Sequence, residues 1–156
     1  MKIKLFIAAA MVTALYSCSQ ANKSESTDSA TPVKTNEASI KGCYLYTLNR
    51  DTFQLAITNN NEKAVEGSLI YNFFEKDDSK GTFTGTYENG ILIGEYKFQA
   101  EGKSSVRQIT FKKTRDGFVE GTGEIKNDNG KEIFASLSAV SYDSGPNYQH
   151  SETCLP

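Results

Sequence analysis

Few residues in this chain could do chemistry, and their spacing argues against catalysis. Arg107 stands out. In Ser105-Val106-Arg107-Gln108-Ile109-Thr110-Phe111, alternation puts its side chain on the same face as Ile109 and Phe111. A guanidinium on an apolar face must reach water or meet a carboxylate, and Glu75 and Glu101 are the acids that could supply one. Two readings stay open: a structural ion pair closing one end of the domain, or an anion-reading group at the mouth of a ligand cavity walled by Tyr71, Tyr87, Tyr96 and Phe98. His150 is the only histidine, whereas a metal site needs three or four convergent ligands, so no metal is expected. Nucleophile elbow, phosphate-cradling glycine loop and zinc-ligand spacing do not occur in the sequence. The chain is therefore expected not to be an enzyme and to use no cofactor.

The remaining chemistry lies in three cysteines. Lys2 and Lys4 precede an apolar run, Leu5 to Leu15, of the length used by a secretory leader and too short to cross a bilayer as a helix. The run ends in Leu15-Tyr16-Ser17-Cys18, which resembles the lipobox of bacterial lipoproteins. That resemblance implies removal of residues 1–17 and acylation of Cys18 by a thioether-linked diacylglycerol and a further, palmitate-type chain, more than the two signals a stable anchor needs. With Cys18 occupied, Cys43 and Cys154 remain as an even pair. In an oxidising compartment they are expected to form a disulfide closing a loop of roughly 110 residues.

Net charge is −2, and loss of Lys2 and Lys4 with the leader takes it to about −4. A mildly acidic chain without clustered Lys and Arg is not expected to bind nucleic acid. From residue 18 to 40 Ser, Thr, Asn, Gln, Ala, Asp, Glu and Lys predominate, with one Val, one Pro and no aromatic side chain. Such a stretch buries too little apolar surface to fold and reads as a disordered tether, reaching on the order of 25 Å. Within it, Asp28-Ser29-Ala30 has the form of an O-glycosylation acceptor, with Ser29 as the site.

Residues 41–156 must position Arg107 and its neighbours. Apolar residues alternate with polar ones in Phe53-Gln54-Leu55-Ala56-Ile57, in Val65 to Phe73, in Phe83-Thr84-Gly85-Thr86-Tyr87 and in Leu92 to Ala100. Turn residues break the runs: Asn59 to Glu62, Asn89-Gly90, Gly102-Lys103, Asp116-Gly117 and Asn129-Gly130. Asn89-Gly90 is the pair a two-residue type I′ hairpin needs. Beyond these, Val119, Gly121, Gly123 and Ile125 read as one inward set, and Ile133, Ala135 and Leu137 as the next. Counting from Cys43 to Leu48 as the first, about eight antiparallel strands follow one another through short links. The expected fold is all-β, an up-and-down barrel that closes on itself; a sandwich would need a long crossing link, and none is visible before the polar tail. Glycine recurs one pleat beyond an inward apolar residue at Gly67, Gly85, Gly94 and Gly121. Either two backbones approach closely there, or room is left for a ligand.

The stretches Glu75-Lys76-Asp77, Gly81-Thr82-Phe83-Thr84-Gly85, Tyr96 to Gly102 and Ser105 to Phe111, with the opening Cys43-Tyr44, resemble over roughly Cys43 to Glu124 a group of small Bacteroidota lipoproteins without an assigned activity, a likeness that implies no function by itself. In shape the domain is similar to the calycin-like barrels, which include lipocalins, although the lipocalin Gly-x-Trp motif does not occur. The resemblances imply an envelope protein, lipid-anchored to the outer membrane on its periplasmic or its surface face. Its partner would be a protein or an envelope component, as in small periplasmic lysozyme inhibitors, which share the size, the anchor and the disulfide. The alternative is carriage of a small apolar or anionic ligand inside the barrel.

Overall fold

The computed structural model describes residues 39–156. Ten strands form in chain order: β1 Gly42–Leu48, β2 Asp51–Asn61, β3 Ala64–Asn72, β4 Ser79–Glu88, β5 Ile91–Ala100, β6 Lys103–Lys113, β7 Gly117–Glu120, β8 Ile125–Asp128, β9 Lys131–Phe134 and β10 Asn147–Ser151. Their turns follow from local chemistry. Asn89-Gly90, Glu101-Gly102 and Asn129-Gly130 each place two successive residues at positive φ (53° and 78°, 50° and 72°, 52° and 85°), the type I′ geometry that matches strand twist. The β2–β3 turn falls at Glu62-Lys63, later than the Asn-rich run suggested, because β2 continues to Asn61 past a bulge between Ile57 and Asn59. At the β6–β7 link the Thr114 amide donates to the Gly117 carbonyl at 2.9 Å and the Gly117 amide to Thr114 Oγ1 at 3.0 Å. The turn therefore precedes Gly117, which is already strand.

Eight of the strands make a closed antiparallel barrel in the order β1-β2-β3-β4-β5-β6-β7-β10, with β10 returning to β1. This is the expected all-β, eight-stranded, up-and-down architecture, but its eighth stave is not the one the sequence indicated. The chain leaves the barrel after Glu120 and returns at Asn147, so the closing strand comes from the segment read as a polar tail. Ile133 lies instead in the β8–β9 hairpin outside the barrel, where β9 runs parallel to β6 at Val106↔Lys131 and Arg107↔Glu132. The excursion starts at Gly121. An added Cβ there would lie 2.5 Å from Thr110 Cγ2 and 2.6 Å from Val140 Cγ1, so only glycine lets the strand pass under its own returning chain.

The interior is filled by side chains. Leu55, Leu69, Leu92, Tyr96, Phe111, Phe118 and Tyr148 have no exposed surface, so the middle of the barrel is a packed core rather than a cavity. Edge-to-face ring pairs lock it, Tyr44 on Phe118 at 4.9 Å and Phe111 on Tyr148 at 5.5 Å. Gln54 and Ala56 point away from this core yet are also buried. The C-terminal segment covers them: Cys154 is disulfide-bonded to Cys43, with Cα atoms 5.4 Å apart, and the Leu155 amide donates to Gln54 Oε1. The expected Cys43–Cys154 bond is thus present.

Candidate functional site

Strand directions give the barrel two ends. The near end holds Ile40 and the β2–β3, β4–β5 and β6–β7 turns; the far end holds the β1–β2, β3–β4 and β5–β6 connections. Arg107 is inward, as its parity predicts, in the far half of β6 and paired with Tyr96 of β5. Its guanidinium carbon lies 4.7 Å from the centre of the Tyr71 ring and 5.4 Å from those of Tyr96 and Phe98. Three ring faces therefore hold one cation, each contact contributing roughly 0.5–2 kcal/mol depending on desolvation.

The carboxylate of this cluster is Glu120, at the far end of β7. Its Oε1 accepts a hydrogen bond from the Tyr71 hydroxyl at 2.6 Å and its Oε2 one from Tyr148 at 2.8 Å. Arg107 lies against the face of the same Tyr71 ring, and the Glu120 charge favours its cation. Tyr71 therefore touches the cation with its ring and the anion with its hydroxyl. The Tyr96 hydroxyl donates to the Leu69 carbonyl at 2.9 Å, which satisfies the remaining buried group. Burial pushes the Glu120 carboxyl above its ordinary range, and the two phenols and Arg107 only partly offset that. Burial, followed by the nearby carboxylate, likewise holds Tyr71 and Tyr148 protonated well beyond ordinary phenol behaviour. Burial works against the Arg107 charge, but Tyr71 and Glu120 outweigh it and its pKa is raised. The arrangement is a polar knot that clamps the far end of the barrel, its phenols held protonated and its carboxyl pushed up by burial.

Both acids proposed for Arg107 are elsewhere. Glu75 is exposed in the β3–β4 connection and Glu101 is exposed in the β5–β6 turn. The inward set of β7 is one residue out of phase with the one its sequence suggests, which brings Glu120 inside. Phe118 and Glu120 point in, whereas Val119 does not, and a slip of one residue exchanges the faces of a strand. The aromatic residue two places before Glu120 was the available signal. Tyr71, Tyr96 and Phe98 do gather around Arg107, but Tyr87 stands at the near end, 6.4 Å from Phe118 ring to ring.

That near end carries a concave surface of about 790 Å³ which the sequence did not suggest. Phe118 lies buried beneath several of its lining residues. The Tyr44 ring, the Tyr87 ring and Lys113 Nζ, at 5.4 Å, all converge on the Phe118 ring. His150 stands at the rim, edge-on to Tyr44 at 5.5 Å. Gly42, at φ +146°, makes room for the imidazole: a Cβ there would meet His150 Nε2 at 3.3 Å. Among the described residues no group of three or more His, Cys, Asp or Glu is placed to hold a metal ion.

The recurrent glycines also find their reason here. A Cβ on Gly67 would sit 2.0 Å from the Ala56 carbonyl oxygen, and one on Gly85 2.2 Å from that of Ile93. Neighbouring backbone, rather than a ligand, takes up that space. Cys18 and Ser29 lie outside the described residues. No family model, curated protein or solved structure matches the chain.

Proposed function

We propose that this chain is an exported lipoprotein, acylated at Cys18 and held at the outer membrane, whose barrel is a non-enzymatic binding module for a protein or another envelope component. The Cys43–Cys154 disulfide carries the reading. A bond between two cysteines 111 residues apart persists in an oxidising compartment and not in a reducing cytosol, which fits the leader-like start of the chain. The packed interior supports a surface-binding role over a carrier, because the middle of the barrel is occupied by its own aromatic side chains and a ligand is left with the ends. Kinship with the small Bacteroidota lipoproteins and with calycin-like barrels belongs to the same proposal.

Two measurements test it separately. Intact mass of the purified protein should correspond to a chain beginning at Cys18 and carrying three fatty acyl chains, while Cys18→Ala should retain its leader and carry none. A mature chain that starts elsewhere, or is free of acyl groups, removes the anchor. The binding role is tested by capture from the parent envelope, scored against a variant lacking residues 43–156, with lysozyme inhibition as a direct assay of one partner class. If both bring the same proteins down, the barrel is not the binding element.

A further inference from the structure

We propose that the near-end bowl is a binding site for a small anion carried on an apolar or aromatic body, with Lys113 and Arg115 reading the charge and Ile40, Tyr44 and Tyr87 bearing the body. Its size falls within the range of small-ligand pockets, about 300–1,000 Å³, and its lining sets Ile40 and the Tyr44 and Tyr87 rings beside a polar majority that includes Lys113, Arg115, Asp116 and His150. Lys113 Nζ lies in the bowl over the Phe118 ring, and its hydrogen bond goes to a backbone carbonyl, that of Thr114, at 2.6 Å. Among the described residues no carboxylate pairs with it, the one in the bowl, Asp116, being engaged by Arg115. Arg115 engages Asp116 through Nε alone, at 3.1 and 3.2 Å to the two oxygens, which leaves its terminal amino groups for an incoming anion. His150 adds a ring nitrogen on the rim, held edge-on to Tyr44.

This goes beyond the binding-module reading by adding a small-molecule site at one end of the barrel, and stands independently of it; the anchor at Cys18 is not involved. A phosphate or carboxylate on such a body could belong to a lipid headgroup or to a soluble metabolite, so the test separates the two.

Residues 19–156, which carry the whole closed barrel and no acylated cysteine, are titrated with phenyl phosphate and inorganic phosphate while the Tyr44, Tyr87 and His150 ring signals are followed by NMR. Phenyl phosphate should saturate those signals and bind at least fivefold more tightly than inorganic phosphate. Arg115→Ser, at a fully solvated side chain, should weaken it threefold or more, and Lys113→Met tenfold or more, with the melting temperature of Arg115→Ser unchanged. In a parallel arm the same protein is sedimented with vesicles of phosphatidylglycerol or of phosphatidylcholine. Retention on phosphatidylglycerol alone, lost in Arg115→Ser, identifies a lipid headgroup; phenyl phosphate binding without retention identifies a soluble anion; either supports the site. Absence of both, or affinities equal to wild type in both variants, overturns it.

Discussion

At Glu120, burial and the surrounding donors pull in opposite directions, and burial prevails. A carboxyl whose pKa is higher folded than unfolded binds its proton more tightly in the folded state. Its contribution is most favourable below the ordinary carboxyl range, declines as pH rises from there through the raised value, and is level above it. Glu120→Gln should therefore lose that decline. The difference in melting temperature between wild type and variant, followed from pH 4 to 8, should change across this window in the variant's favour as pH rises; a constant difference would refute it. Taking the difference cancels Glu95, whose pKa is lowered chiefly by its hydrogen bond to Lys131 and which acts with the opposite sign. Tyr148→Phe should cost about 1–3 kcal/mol in urea denaturation, since it leaves one oxygen of a buried carboxylate without its donor. Arg107→Met removes the cation that three rings enclose. Loss of stability with near-end phenyl phosphate binding retained, measured by the same titration, is the expected result for a structural knot.

Among the strands, the glycine echo gives the sharpest contrast. Gly67→Ala must push its Cβ into the Ala56 carbonyl and the Phe83 ring, at 2.0 and 2.7 Å, whereas at Gly94 the nearest atom, the Thr84 oxygen, is 3.1 Å away. Overpacking of this kind costs about 1–3 kcal/mol or more, so Gly67→Ala should be less stable than Gly94→Ala by roughly 2 kcal/mol in equilibrium unfolding. Equal losses would mean that strand glycine is tolerated here for its flexibility alone. β2 through β6 could be read from the sequence because each carries several inward residues in strict alternation between turns with their own chemistry. β7 and β10 could not. With four and five residues they hold one or two inward side chains each, Phe118 and Glu120 in the first and Tyr148 in the second, too few to establish a period.

For the folded body as a whole, the Cys43–Cys154 bond ties the first strand to the last residues of the chain. In the chain-entropy model a loop of about 100 residues is worth roughly 4.7 kcal/mol. Cys154→Ser should lose stability of that order and uncover Gln54 and Ala56 as the tail leaves β2, with faster amide exchange along the β1–β2 ladder as the readout. Period-two alternation, Asn-Gly turns and cysteine parity are local or countable properties, so the amino-acid sequence alone determined an antiparallel all-β barrel, an inward Arg107 and the sulfur pairing. Which short strand closed the barrel, that Glu120 rather than Glu75 or Glu101 answered Arg107, and that Lys113, Tyr44 and Tyr87 met around Phe118, with His150 against Tyr44, were decided only by tertiary structure. Those contacts join residues far apart in sequence through the pairing of β7 with β10, and the free energy that selects that pairing comes from burying Phe118 and Tyr148 together in a core that neither strand can form alone.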